Sequence, residues 1–254
     1  SGDSLLIAIA LVGLASLVLG LGLPVTAAYI VLGTLSAPAL YNLIVDGQIL
    51  QIIASGSLGE EARAVMMLAV PDKFELLSQP MSLEQAREIL SAVPSDLAGT
   101  LREMMLSPDA ALFSLLSAHM IIFWLSQDSN VTPPVCLAAF TGAAIAGTPP
   151  MATGLQSWKI AKGLYIVPLL FAYTPLLGGS WIDIFTIFFF ALGGLYAFTC
   201  ALQGHMENPV SGVSRLLLLV LAFLLLKPSF LGIQAAALAA LVILLIFNMK
   251  KSSR

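Results

Sequence analysis

Eight apolar runs, at 4–22, 24–45, 110–127, 131–150, 163–178, 182–202, 210–226 and 230–248, dominate this chain of 254 residues. A membrane-spanning helix needs about 20 consecutive apolar residues, and several of these runs reach or approach that length. Only 10% of the residues are charged and the mean hydropathy is +0.97. A soluble domain carries about 25% charged residues, so this chain has too little polar surface to dissolve. Disorder, collagen and coiled coil are excluded by the same reasoning. The net charge is −3 with no basic stripe, which excludes nucleic acid as a partner, since phosphate binding needs clustered Lys and Arg. Cys136 and Cys200 both lie in apolar runs and make neither a disulfide framework nor a zinc site. His119 and His205 lack metal-ligand spacing. The chain reads as an all-α polytopic membrane protein whose partner is the lipid bilayer. Its first run follows Ser1-Gly2-Asp3 without a basic segment, so it does not fit a secretory signal; the start looks like that of a fragment or a trimmed chain.

The charges cluster. Residues 46–109 hold ten acids and four bases, a net of −6, which leaves +3 for the rest. This is a water-exposed insert, and its pattern is helical. Ser82-Leu83-Glu84-Gln85 fits a capping box, and Leu83, Ala86, Ile89, Leu90 and Val93 follow at helical spacing. Pro94 ends that helix. Leu97, Leu101, Met104 and Met105 form a second stripe, and Ser107-Pro108 a cap followed by a first-turn proline. The stripes are expected to pack on each other or to lie on the membrane surface.

Basic residues set the orientation. With 4–45 entering and leaving on one side, the insert lies outside. The run 110–150 then crosses inward, 163–178 crosses outward, and the last three runs alternate. Lys159, Lys162, Arg215, Lys250, Lys251 and Arg254 are then cytoplasmic and Lys227 alone is outside, as the positive-inside rule requires. The chain divides into a re-entrant helical hairpin at 1–45, a polar helical insert at 46–109, a broken (discontinuous) helix with its following span at 110–178, and C-terminal transmembrane helices at 179–254.

Two interruptions carry the chemistry: Gly20-Leu21-Gly22-Leu23-Pro24-Val25-Thr26, and Gln127-Asp128-Ser129-Asn130-Val131-Thr132-Pro133-Pro134. Backbone groups freed at a break cannot face lipid; they line protein or a hydrated cavity. Paired interruptions mark binding sites in transporters. At the second break Thr132 is placed as an N-cap, with Pro133 or Pro134 as the first helical residue. Ser129, Asn130 and Thr132 offer neutral oxygens to a hard cation. At the first, Gly20 and Gly22 allow a tight turn, Pro24 restarts a helix and Thr26 supplies a hydroxyl. Either break could equally be a plain loop. Asp128 either faces a cavity at membrane depth or caps the break. Asp183, near a helix start, serves the helix dipole. His119 is an interior histidine with a hydrogen bond, and Cys136 and Cys200 are packing residues. Gly142, Gly147, Gly193 and Gly194 permit close helix packing.

The segment from Gly20 to Tyr29, with Gly22-Leu23-Pro24 and Thr26-Ala27-Ala28-Tyr29, resembles the Gly-x-Gly-Leu-Pro-x-Thr-Ala-Ala-Tyr signature of fused permeases of TRAP transporters. Ser117-Ala118-His119-Met120-Ile121-Ile122-Phe123-Trp124 resembles their Ala-His-Leu-Phe-Val-Phe-Tyr stretch. Thr132-Pro133-Pro134-Val135, with Ala138-Ala139-Phe140 and Ile145-Ala146-Gly147, is similar to their Thr-Pro-Pro-Val block. The likeness covers about 5–178 and is nearest to the type served by a TAXI-class binding protein. It implies a sodium-driven, elevator-type inner-membrane symporter for organic anions, delivered by an extracytoplasmic TAXI-type binding protein. It implies a transport domain of two inverted halves, of which this chain carries the second, so an N-terminal half, fused or separate, is an expected partner and the chain alone is not expected to transport. It also implies that Gly22, Pro24, Thr26, Ser129, Asn130, Thr132 and Pro133 surround a sodium ion. The insert is longer than the connection many relatives have there. No cofactor other than sodium is expected. The runs contain neither a paired Asp nor a Ser–His dyad, so an enzyme is not expected. The competing reading is a non-transporting scaffold, with ordinary loops at both breaks.

Overall fold

The computed structural model describes residues 4–227 and 230–250, without the side chains of Glu75 and Ser95. Lys251 and Arg254, assigned above to the cytoplasmic side, lie outside the described residues. Among the described residues the regular structure is helical, with no strand.

Two helices form the first hairpin. Helix α1 (Leu5–Gly20) is capped by Ser4, whose hydroxyl accepts from the Ile7 amide. A turn at 21–24 leads to α2 (Val25–Ser55), where Pro24 occupies the N-cap position in an extended conformation. The helices return alongside each other, with Ala8, Ile9 and Val12 of α1 in one core with Leu32, Leu40 and Ile44 of α2. The 16 residues of α1 rise about 24 Å, short of a hydrocarbon core of about 30 Å. Helix α2 does not stop where its apolar run does, at 45. Val45, Ile49 and Ile53 recur every fourth residue and are fully buried, so the helix continues as the spine of the insert.

The insert folds around that spine. It contains α3 (Glu60–Ala69), a 3₁₀ segment (Pro71–Ser78), α4 (Leu83–Ser91) and α5 (Ser95–Met105). The capping box forms: the Gln85 amide donates to Ser82 Oγ, and the Ser82 amide donates to Gln85 Oε1 at 3.1 Å. Met66, Leu77, Ile89 and Leu101 close on Ile49 and Ile53 as one core, so the two stripes pack together and on α2. Arg102 of α5 grips Asp46 of α2 with two parallel bonds, Nε to Oδ1 at 2.8 Å and NH2 to Oδ2 at 2.9 Å. The hydrogen bond to Asp46 holds the Arg102 guanidinium above its usual pKa.

Helix α6 (Pro108–Ser126) begins as expected, with Ser107 accepting from the Ala110 amide and Pro108 in the first turn. It ends in a 3₁₀ turn at Gln127–Asn130. A non-helical stretch at 131–136 precedes α7 (Leu137–Ala146), and Gly147 closes α7 with φ of 66°. Helix α8 (Pro150–Ile160) follows and packs on α7. The run 131–150 is therefore not one continuous helix: α7 starts only at Leu137 and ends at Ala146, before Gly147 in the left-handed region. The run 163–178 also departs from expectation. A 3₁₀ turn (Ala161–Tyr165) leads into α9 (Val167–Tyr173), which has seven residues and rises about 10 Å. Thr174 is extended, as the residue before a proline is driven to be, and Pro175 follows. Helix α9 by itself is shorter than a membrane span; it follows α8 and the 3₁₀ turn without an extended residue between them.

The remaining helices, α10 (Trp181–Gln203), α11 (Gly212–Leu226) and α12 (Leu231–Lys250), bundle around Ala197, Leu218, Leu225 and Leu241. Asp183 forms a capping box with Ser180, which accounts for an acid at the start of an apolar helix. A Cβ on Gly194 would lie 2.6 Å from Leu226 Cγ, so that glycine does permit close packing, whereas Gly142 has no atom near enough to need it. Arg215 donates to the carbonyls of Ala201 and Leu202 at the end of α10. Among the described residues, four helices are long and apolar enough to cross a membrane: Val25–Ser55, Pro108–Asn130 with its 3₁₀ turn, Trp181–Gln203 and Leu231–Lys250. The chain is an all-α polytopic membrane protein.

Candidate functional site at the hairpin tip and the helix break

The two interruptions meet. A Cβ on Gly20, the last residue of α1, would lie 2.7 Å from Ser129 Cβ. Only glycine allows this approach, and it brings the hairpin tip onto the turn at 127–130. Two turns back along α1 and one turn back along α6, a Cβ on Gly13 would lie 3.5 Å from Leu125 Cδ2. Helix α1 and the end of α6 thus touch at both points, most closely at Gly20.

Asp128 is the centre of the break. It is 3% exposed. Its Oδ1 accepts from the Thr132 hydroxyl at 2.6 Å and from the Tyr165 hydroxyl at 2.7 Å. Its backbone carbonyl accepts from the amides of Val131 and Thr132. A carboxylate binds such donors about twice as strongly as a neutral acceptor does. That corrects the expected role of Thr132: its hydroxyl is held by Asp128 instead of capping a helix. The helix restarts later, at Leu137, with Cys136 at the cap position. Trp158 Nε1 donates to the Tyr165 oxygen at 3.4 Å, and Lys162 Nζ stands 4.0 Å from the centre of the Trp158 ring. Asp128 therefore links the break to the segment after α8.

The other expected ligands are distributed as follows. Ser129 is buried and donates to the Ser126 carbonyl at 3.2 Å. Asn130 donates from Nδ2 to Gln127 Oε1 at 3.2 Å. Pro133 is joined to Pro134 by a cis peptide bond. Gly22, Pro24 and Thr26 are exposed on the tip. The second break is thus drawn together around Asp128, while the tip residues beyond Gly20 face outward. The residues not foreseen are Tyr165 and Trp158. Trp158 and Lys162 sit at i and i+4 on adjoining helical turns, a spacing that could have suggested their contact; nothing local pointed Tyr165 at Asp128.

The first two sequence blocks also converge. Tyr29 Oη and His119 Nδ1 are 3.2 Å apart and share a hydrogen bond, which satisfies the expected interior histidine. Tyr29 also meets Phe123 edge-on. Cys136 is fully buried, with its sulfur against Gly154. The two blocks flanking the breaks thus hold each other in register.

Comparison with known families decides the assignment. Residues 1–177 match the family model described as "Tripartite ATP-independent periplasmic transporter, DctM component". The chain belongs to the DctM family. The match ends just before α10, so it covers the hairpin, the insert, the break and α9. DctM proteins are components of transporters and do not form an enzyme family. Membership makes this a multi-pass inner-membrane permease component, with a substrate-binding protein and a smaller membrane component as the other parts of the tripartite system. No curated protein and no solved structure matches the chain.

Proposed function

We propose that this DctM-family chain forms the ion-coupled part of a sodium-driven symporter for organic anions, with substrate delivered by a TAXI-type extracytoplasmic binding protein. The observation that carries the reading is the contact of Gly20 with Ser129, which seats a hairpin tip against a helix break whose centre is a buried acid. Broken backbone at a midplane site supplies cation ligands on one side and anion-binding amides on the other. Oxygen ligands, including those of Ser129, Asn130 and Thr132, suit a hard cation such as sodium, while Gly22, Pro24, Thr26 and Pro133 shape its surroundings. The exposed tip is where the opposite inverted half of an elevator-type transport domain, fused or separate, would pack. The short α1 accords with a re-entrant path.

The test is uptake into proteoliposomes by the complete permease with its binding protein. A panel of labelled carboxylates is offered under an inward sodium gradient and then under a matched potassium gradient. Accumulation of an organic acid with sodium only is the expected result. Equal uptake in potassium would overturn sodium coupling, and no uptake of any carboxylate would overturn the substrate class.

A further inference from the structure

The polar insert and the apolar helices beside it enclose a cavity of about 520 Å³, a size usual for small-molecule sites. Its lining includes Ser4 at the start of α1, Asp46 of α2, Arg87 of α4, Arg102 of α5 and Tyr173 of α9. These residues mark a level. Ser4 precedes the first residue of α1, Asp46 follows the apolar run 24–45, and Tyr173 ends α9. Three apolar segments thus begin or end at one cavity whose other wall is the charged insert. Such a coincidence places it where a bilayer has its headgroups, the level at which tyrosine is enriched. Arg87 and Tyr173 are both exposed, so the cavity has a mouth.

The charge of the cavity is positive. Two arginines line it with one aspartate, which leaves one positive charge in excess. Asp46 spends both carboxylate oxygens on Arg102. Arg102 uses two of its five N–H donors there, so three remain. Among the described residues Arg87 has no ion pair and no side-chain hydrogen bond, and its neighbour Glu88 is bound to Lys73 instead. The fork of a guanidinium matches a phosphate or carboxylate, and here the donors of two of them open on one space. Much of the remaining lining is apolar, with Leu5, Leu43, Leu50, Leu90 and Leu101. An oxyanion joined to hydrocarbon satisfies both halves, whereas a small soluble anion leaves the leucines facing water, at a cost that grows with the apolar area left wet.

We propose that this cavity binds an anionic phospholipid, its phosphate held by Arg87 and the spare donors of Arg102, and its glycerol and first methylenes against Leu43, Leu50 and Leu90. One excess positive charge matches a lipid of net charge −1. A zwitterionic headgroup brings an amine that finds no free carboxylate, since Asp46 is already taken. The bound lipid bridges α4 and α5 of the insert to the start of α1 and the end of α9. The site lies apart from the hairpin tip and stands whether or not transport is coupled to sodium.

The experiment is native mass spectrometry of the complete permease, purified in detergent, stripped of lipid and titrated with phosphatidylglycerol, phosphatidylcholine or glycerol 3-phosphate. Size-exclusion profiles confirm folding. Phosphatidylglycerol is expected to bind about tenfold more tightly than the other two. Loss of a hydrogen bond to a charged group is expected to weaken it about tenfold in Arg87→Gln. Ala98→Trp, which fills the cavity from α5 without altering its charge, is expected to weaken it as much. Lys159→Gln, outside the cavity, removes the same charge and is expected to change nothing. Equal affinity for phosphatidylcholine, binding unchanged in Arg87→Gln, or an equal loss in Lys159→Gln would each overturn the proposal. Glycerol 3-phosphate bound as tightly as the lipid would make the occupant a soluble phosphate and overturn the lipid assignment. If Arg87→Gln fails to fold, Ala98→Trp decides alone, and unchanged affinity overturns the proposal.

Discussion

The Tyr165 hydroxyl donates to Asp128 Oδ1 at 2.7 Å across 37 residues of sequence, and it joins the segment after α8 to the break. Removing a donor from a buried acceptor costs about 1–3 kcal/mol. Tyr165→Phe is expected to destabilise the purified permease by that amount in a denaturant titration and to lower transport. Trp158→Phe removes the longer, 3.4 Å bond to Tyr165 and is expected to cost less. Equal losses in the two variants would show that the bond to Asp128 has no special weight.

The paired bonds from Arg102 to Asp46 dock α5 on α2. Both side chains are partly exposed, so the pair is worth about 1 kcal/mol. Lysine cannot reproduce the fork. Arg102→Lys is expected to speed amide hydrogen exchange across 95–105 and to leave exchange in α10–α12 unchanged. Exchange identical to wild type throughout would mean that the apolar core of the insert docks α5 unaided.

The insert is expected outside and the loop carrying Lys159 and Lys162 inside, from the asymmetry of basic residues. Single cysteines at Ser55 and Lys159, both exposed, in a background without Cys136 and Cys200, test this with a membrane-impermeant thiol reagent. Labelling from the outer face is expected at Ser55 only. The reverse pattern would invert the orientation.

What was legible in the sequence was local. The caps at Ser82 and Ser107 and the restart at Pro24 depend on neighbours within a few residues, and all three formed. Helix α2 outran its apolar run because Asp46, Gly47 and Gln48 interrupt hydropathy without interrupting the fourfold spacing of Val45, Ile49 and Ile53. The run 163–178 is apolar throughout, yet its regular α-helix is limited to Val167–Tyr173, with Pro168 in the first turn and Pro175 just past the end. Of the candidate site, the two breaks were visible as Gly, Pro and hydroxyl clusters. The approach of Gly20 to Ser129 and the reach of Tyr165 to Asp128 join residues far apart in sequence, and no spacing rule encodes such pairs. The misplaced cap at Thr132 has the same origin, since a cap is chosen in competition with every other acceptor nearby, and the buried carboxylate of Asp128 won.

The central claim is that the hairpin tip seated on the break is the working site of a sodium-coupled permease. Gly20→Val tests it most directly, because any side chain there meets Ser129 and over-packing costs about 1–3 kcal/mol, which pushes the tip off the turn while leaving the insert and α10–α12 untouched. The measurement is sodium-gradient-driven uptake of an organic acid by the complete permease and its binding protein, wild type beside Gly20→Val, each confirmed as monodisperse. Uptake in the wild type and its loss in the variant is the predicted result; equal sodium-driven uptake by both would contradict the account.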